Sequence, residues 1–294
     1  MTSQAEASGT LVKRRHAQAG LLMMLASLMF IANDTGMKAL SAAMPTGSTI
    51  LLRNAIGAVA LLAFIGWSRE LRYLPAIFGW AAMLRTLLDS ILTLLFLVAL
   101  AHMPIANLTA IVQSVPVVVA AMAIFTLKEK LSAYRLATIL AGFAGVLLIV
   151  QPGGSAFSVY SLLGVAVVFL SAARDILTRY IPPSIPGSVI AFGNLIGAGI
   201  AGLGLALFEG GLVMPPDGAS WLIGLSSGLS VAIGLIVLIK CLRMAPMSAT
   251  APFRYSVVLY SILAGYLFFG DVPNALAWAG IGLIVLSGLA TLRR

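Results

Sequence analysis

Ten apolar runs, each of about 18–23 residues, occupy most of the sequence. A helix needs about 20 predominantly apolar residues to cross the hydrocarbon core of a bilayer. Helices are the expected form, because a spanning helix satisfies its own backbone hydrogen bonds. The runs therefore predict an all-α integral membrane protein with ten transmembrane helices. They lie near residues 18–39, 48–66, 77–100, 104–126, 132–150, 159–180, 187–208, 219–241, 247–269 and 273–291.

Composition supports the same class and excludes several functions. Charged residues make up 9% of the chain, whereas soluble domains carry about 25%. The connections are too short to hold a soluble domain, so any function must reside between the helices. The net charge of +9 comes from residues beside the runs, which predicts contact with the lipid bilayer and no nucleic-acid partner. The single cysteine, Cys241, excludes a disulfide within one chain and a cysteine-rich metal site, and we predict no metal and no cofactor.

The distribution of lysine and arginine predicts the orientation. If the N-terminus is cytoplasmic, 13 of the 18 basic residues fall on the inner side, Lys38 alone falls on the outer side, and four lie within runs. Cytoplasmic loops of membrane proteins carry such an excess. We therefore expect a multi-pass protein of the cytoplasmic (inner) membrane with both termini in the cytoplasm. Residues 1–17 would form a cytoplasmic tail. The basic end of this tail is also typical of a cleaved signal peptide, but the polar Asn33 and Asp34 in the apolar run that follows favour an uncleaved first span.

The two halves of the chain resemble each other at an offset of about 140 residues. Asn54–Ala58 in run 2 is echoed by Asn194–Ala198 in run 7. Five helices per half is an odd number, so the second half would enter the membrane inverted. We predict two inverted five-helix repeats, at residues 18–150 and 159–292, an arrangement typical of secondary transporters.

Short motifs within this pattern resemble a known family. They are Phe30–Asp34 with Lys38 in run 1, Arg53 in run 2, Leu127–Leu131 after run 4, and the paired endings Gly142–Ile149 and Gly280–Val285. The motifs resemble the EamA-type, ten-helix branch of the drug/metabolite transporter superfamily over about residues 18–292. The resemblance implies that helices 1–4 and 6–9 surround a central cavity and that helices 5 and 10 lie outside it. The motifs of helices 1 and 2 are most similar to members that carry riboflavin or S-adenosylmethionine, while other members export amino acids or drugs.

Two charged residues, Arg85 and Asp89, interrupt the third run. They are four residues apart, so on a helix they share one face. A charge in the hydrocarbon layer costs several kcal/mol unless it is paired or faces water, so this face should point to a protein-lined interior. There the two residues would either bind charges of the substrate and gate the cavity, or form a salt bridge that fixes helix 3 against a neighbour.

The other candidate residues are polar or charged positions within the runs. They are Asn33, Asp34, Arg53, Asn107, Gln113, Asp175, Arg254 and Tyr255. The arginines would hold a carboxylate or another electron-rich group, and the aspartates would hold a cation or a proton. Simpler roles compete with these: Asp34 would pair with Lys38, the polar residues of helix 4 would join helices by packing, and Tyr255 would fill the core. Arg53 and Arg174 would extend to the membrane surface, or Arg53 would pair with Asp34 or Asp89.

The sequence thus predicts a secondary transporter that moves a small organic metabolite by alternating access. A ring-bearing vitamin or nucleoside-like solute, such as riboflavin or S-adenosylmethionine, is the first candidate, and amino acids or drugs are the alternative. The phosphate-binding motif G-x-x-x-x-G-K-[ST] is absent, so the energy would come from a gradient. An enzyme is disfavoured, because H-E-x-x-H is absent too, and no catalytic residue is predicted. A pore or a non-transporting membrane partner is the remaining rival, and a homodimer is one option for the assembly.

Overall fold

The architecture was analysed in a computed structural model, which describes residues 2–41, 43–102, 111–128, 132–150, 159–269 and 275–292. Within these residues the structure is helical and contains no strand, which confirms the all-α prediction. The helices are α1 (Thr2–Ser41), α2 (Thr46–Trp67), α3 (Trp80–His102), α4 (Val115–Thr126), α5 (Ala133–Val150), α6 (Val159–Tyr180), α7 (Gly187–Phe208), α8 (Gly218–Met244), α9 (Ser256–Phe269) and α10 (Ala275–Leu292).

Among the described residues, four helical stretches are long and apolar enough, by length and composition, to cross a membrane. They are Arg14–Met37, Thr46–Trp67, Gly187–Phe208 and Gly218–Met244. Large apolar side chains on these helices face outward, including Trp67 and Phe208, which are 82% and 94% exposed. Such faces suit lipid rather than water, and the protein is a membrane protein.

Two predicted runs are interrupted near their starts. A 3-10 helix, Leu71–Phe78, is bent by 71° from the stretch Trp80–Phe96 at Gly79, and the two together would make one further span. The predicted run 77–100 therefore crosses a sharp bend, because Gly79 has an extended backbone. Before α9, a short helix (Met247–Thr250) is followed by a 3-10 helix (Ala251–Tyr255). Pro252 lies in that second break, where it cannot donate a backbone hydrogen bond.

Helices from the two halves of the chain pack directly against each other. The most extensive contacts join α1 to α8, α2 to α7, α3 to α6 and α5 to α10, and smaller ones join α2 to α8 and α3 to α7. Small residues permit the closest of these approaches. A Cβ at Gly197 of α7 would lie 2.3 Å from Thr86 Cγ2 of α3, and one at Gly57 of α2 would lie 2.9 Å from the Gly228 carbonyl oxygen of α8. Gly197 thus lets α7 pack closely against α3.

Two large apolar clusters form the core. One includes Ala19 and Met23 of α1, Ala172 of α6 and Leu238 of α8. The other brings together residues of α2, α3, α7 and α8, including Leu61, Ala82, Leu195 and Leu235. Their close packing surrounds the charged residues of α3 and α6 with apolar groups, where hydrogen bonds to charges are strong and unpaired charges are costly.

Candidate functional site

A chain of buried charges joins the two halves of the protein. Asp89 Oδ1 of α3 accepts a hydrogen bond from Arg174 Nη1 of α6 at 2.6 Å. Arg174 Nε and Nη2 each lie 3.1 Å from Asp175 Oδ1, and Arg254 Nη1 donates to Asp175 Oδ2. We call these four residues the charge network. It ties α3, from the first half, to α6 and to the 3-10 helix before α9, both from the second half.

Burial differs along the charge network. The side chain of Asp175 is fully buried, whereas those of Asp89, Arg174 and Arg254 are 15%, 14% and 18% exposed. Arg174 therefore does not extend to the membrane surface, as the competing reading of the sequence had it, but turns inward to two carboxylates. Asp89 pairs with Arg174 across the helix interface, so the predicted contact between helix 3 and a neighbour is present.

Arg85 lies one turn from Asp89 on α3 and is fully buried. Its Nε donates to Thr178 Oγ1 of α6 at 2.9 Å. Arg174 and Thr178 are also one turn apart, and α3 and α6 run antiparallel. Two side-chain pairs therefore form one turn apart along this interface, Asp89 with Arg174 and Arg85 with Thr178. Among the described residues, Arg85 Nη1 and Nη2 are buried and have no hydrogen-bond partner.

A second polar cluster links α1, α2 and α8. Arg53 Nη1 donates to Asn33 Oδ1 at 3.1 Å, and Asn33 Nδ2 donates to Asp34 Oδ1 at 2.8 Å. Ser227 Oγ lies 2.9 Å from the Asn33 carbonyl oxygen. We call these four residues the Asn33 cluster. Asn33, rather than either aspartate considered from the sequence, is therefore the hydrogen-bond partner of Arg53.

The remaining candidates lie apart from these two groups or outside the described residues. Tyr255 is fully buried and contacts Gly142 of α5, where a Cβ would lie 2.4 Å from its ring Cδ2. Gln113 is buried just before α4. Asn107 and the side chain of Lys38 lie outside what the structure describes, so the proposed pairing of Asp34 with Lys38 stays a prediction.

Helix α8 contains a motif that is also found in hydrolases. Residues Gly224–Gly228 read G-x-S-x-G, the spacing of a hydrolase nucleophile. That chemistry requires a serine on a sharp turn between a strand and a helix. Here Ser226 lies within α8, and its hydroxyl donates to the Ile223 carbonyl oxygen of the same helix at 2.9 Å. The spacing therefore does not create a nucleophile.

The family of the chain follows from comparison with known proteins. The model of the EamA-like transporter family matches twice, over residues 18–151 and 158–293. The chain belongs to the EamA-like transporter family. The resemblance seen in the motifs of runs 1, 2, 4 and 5 is thereby confirmed.

Relatives of this EamA-family chain are named as transporters. The riboflavin transporter of Vibrio cholerae is 29% identical over 94% of this chain and 93% of its own. The pseudopaline exporter of Pseudomonas aeruginosa is 24% identical over 93% and 95%. The S-adenosylmethionine uptake transporter of Rickettsia bellii is 25% identical over 62% of each chain. The prediction of a transporter rather than an enzyme is confirmed by the family and by these relatives.

A solved structure supports the fold. One protein crystal structure superposes on this EamA-family chain with a TM-score of 0.76, over 93% of this chain and 96% of its own, at 19% sequence identity. At that identity the likeness concerns the fold alone. The fold of the described residues therefore has a counterpart observed in a crystal.

The site combines charged donors, carboxylates and a position between helices of both halves. Counting the charge network and Arg85 alone, three guanidinium groups (Arg85, Arg174 and Arg254) accompany two carboxylates (Asp89 and Asp175), an excess of one positive charge. Such buried ionisable groups in a membrane mark substrate or ion pathways. They also provide contacts that can break and re-form when the helices move.

Proposed function

We propose that this chain is a secondary transporter that moves a small organic metabolite by alternating access. The observation that carries the proposal is the charge network, because its ion pair Asp89–Arg174 crosses from the first half of the chain to the second. Breaking that pair would separate α3 from α6. The Asn33 cluster makes a similar connection between α1 and α8 through Ser227, so separate polar contacts are available to hold different helix pairs.

The pattern of helix contacts supports two inverted five-helix repeats within ten spans. Two inverted repeats would make α1 equivalent to α6, α2 to α7, and so on to α5 and α10. Under this exchange, the contact of α1 with α8 corresponds to that of α6 with α3, and the contact of α2 with α8 to that of α7 with α3. The contact of α1 with α9 corresponds to that of α6 with α4, and the structure contains all six of these contacts. The contacts of α2 with α7 and of α5 with α10 map onto themselves. A pseudo-twofold axis relating the halves would produce this pattern.

The orientation follows from the basic residues. The proposal places the protein in the cytoplasmic (inner) membrane with both termini in the cytoplasm, because this arrangement puts 13 of 18 Lys and Arg residues inside. Asp89, Arg174 and Arg254 would then lie in the cytoplasmic half of the membrane, and the Asn33 cluster in the outer half. Opening toward the cytoplasm would require the charge network to break.

The substrate proposed first is a ring-bearing solute such as riboflavin, and S-adenosylmethionine follows. Support comes from the relatives that bear those names, one of which is similar over 94% of this chain. Export of amino acids or drugs is the alternative, and a relative named as an exporter keeps it open.

Counterflow in proteoliposomes tests the proposal. Vesicles would be loaded in turn with unlabelled riboflavin, S-adenosylmethionine or an amino-acid mixture, and uptake of the same labelled compound followed. A carrier gives a saturable overshoot with one of them, and Asp89→Asn and Arg174→Gln should abolish it. Asp217→Asn is the matched control, because Asp217 caps the start of α8 and makes no contact with the charge network.

One outcome would contradict the proposed carrier, and another would contradict only the role given to the charge network. Uptake that rises linearly with concentration, without overshoot, would indicate a pore. An overshoot that survives both Asp89→Asn and Arg174→Gln would keep the carrier but would reduce the charge network to a structural contact.

A further inference from the structure

Several buried hydrogen-bond donors of the polar interior lack a partner. Within the part of the chain that the structure describes, they include Arg53 Nε, Arg85 Nη1, Arg85 Nη2 and Asn194 Nδ2, and the hydroxyls of Tyr255 and Ser256, which can donate or accept, are unpaired as well. Buried polar groups are normally paired. A solute that enters this interior would therefore be held best if it brought acceptor oxygens.

Arg85 is the most unbalanced of these groups. It is fully buried, and among the described residues only its Nε has a partner, the neutral hydroxyl of Thr178. The two neighbouring carboxylates are already engaged, since Asp89 pairs with Arg174, and Asp175 pairs with both Arg174 and Arg254. A buried guanidinium without an anionic partner is strongly unfavourable, because its desolvation is not repaid.

We infer that Arg85 binds one oxyanion, a carboxylate in the first instance, during the transport cycle. With Nε bound to Thr178, the free nitrogens Nη1 and Nη2 form the end-on edge of the guanidinium. That edge matches the two oxygens of a carboxylate in parallel hydrogen bonds. The single excess positive charge at the site also matches a single negative charge. The inference rests on the proposed transport function and names the chemistry that its site recognises.

The anion has two possible sources with the same chemistry. It is either a group of the transported solute or a small carboxylate that accompanies a neutral solute. A cationic group is disfavoured at this position, because three arginines already outnumber two aspartates. A substrate with a positive centre would have to place that centre elsewhere and present its carboxylate to Arg85.

Thermal unfolding of the purified full chain in detergent tests the binding site without transport. The probes are benzoate, benzamide and benzamidine, which have nearly the same shape and charges of −1, 0 and +1, with acetate as a smaller anion and ionic strength held constant with chloride. We expect benzoate or acetate to raise the Tm by several degrees, and benzamide and benzamidine to leave it unchanged. An equal response to all three aromatic probes, or a response to neither carboxylate, overturns the inference.

Variants identify the residue. Arg85→Gln removes the unpaired charge, so its Tm without probe should equal or exceed that of the wild type, and the carboxylate response should vanish. A purely structural arginine would instead lower the Tm on replacement. Arg72→Gln is the control, because Arg72 is exposed and donates to the Tyr73 hydroxyl at 3.0 Å, and this variant should keep the response. A full response in Arg85→Gln overturns the assignment.

The counterflow assay separates this inference from the proposed function. Counterflow with no carboxylate effect on the Tm would leave the transporter standing and remove the anion site. A carboxylate effect that depends on Arg85, without counterflow of any solute, would establish the site and remove the transport proposal. If riboflavin counterflow requires added acetate, the anion is a separate ion; if the carried compound itself bears the carboxylate, the solute supplies it.

Discussion

Replacing Asp175 by asparagine should destabilise the protein more than the same replacement at Asp89, the other carboxylate of the charge network. The carboxylate is fully buried and serves two arginines, Arg174 through one oxygen and Arg254 through the other. Asp175→Asn keeps the shape but leaves two guanidinium groups without their shared anion. Removing one partner of a buried ion pair costs about 3–5 kcal/mol, and we expect a loss in that range.

Asp89→Asn provides the comparison for the loss of stability in Asp175→Asn. Asp89 is 15% exposed and pairs with Arg174 alone among the described residues. Loss of a hydrogen bond to a charged group costs about 1.5–3 kcal/mol, so Asp89→Asn should cost less than Asp175→Asn. The free energies of unfolding would be measured by reversible denaturation with sodium dodecyl sulfate in mixed micelles, followed by circular dichroism.

A double variant distinguishes the loss of this ion pair from a general folding defect. Adding Arg254→Gln to Asp175→Asn removes one of the stranded cations, so it should restore about 1–3 kcal/mol relative to the sum of the single changes. The reasoning is refuted if Asp175→Asn lies within about 0.5 kcal/mol of the wild type, the range of ordinary surface substitutions. It is also refuted if the two changes are additive.

Three further predictions concern packing, pH and chemistry. Gly47→Ala should lower the Tm strongly, because a Cβ there would lie 2.2 Å from the Ala206 nitrogen, whereas Gly66→Ala, with nothing within 4 Å, should not. A hydrogen bond from the Ser220 amide lowers the pKa of Asp217. The ionised cap therefore stabilises α8 above the ordinary aspartate pKa of about 4, and this stabilisation is lost as the pH falls below that value. The Tm advantage of the wild type over Asp217→Asn should shrink at such acidic pH. Cys241 is fully buried, so maleimide should label it only on unfolding, and rapid labelling of the native protein would contradict the structure.

The sequence predicted those features of the fold that depend on residues close together in the chain. The helical class follows from apolar runs, each of which is a local property. The bend before α3 had a local signal too, in Gly79, but the continuous apolar composition concealed it.

The partners of the charged residues could not be predicted, because they depend on which helices pack together. Arg85 and Asp89 share a face of α3, as their spacing implied, yet their partners are Thr178 and Arg174 rather than each other. Likewise, Arg53 was expected to find an aspartate and instead donates to Asn33. Spacing along one helix limits the direction of a side chain but does not say which groups the opposite helix presents.

The ion pair between Asp89 and Arg174 has a consequence for how the protein is made. The two residues are 85 positions apart in the chain, which at about 5–20 residues per second is about 4–17 seconds of synthesis. Throughout that interval α3 carries Arg85 and Asp89 without α6, and each such residue disfavours membrane insertion by about 2.5–3.5 kcal/mol at the centre of a helix. The ribosome therefore delivers a segment that is poorly suited to lipid before its stabilising neighbour exists. We therefore expect α3 to insert into the bilayer less efficiently from a chain that ends before α6 than from the full chain.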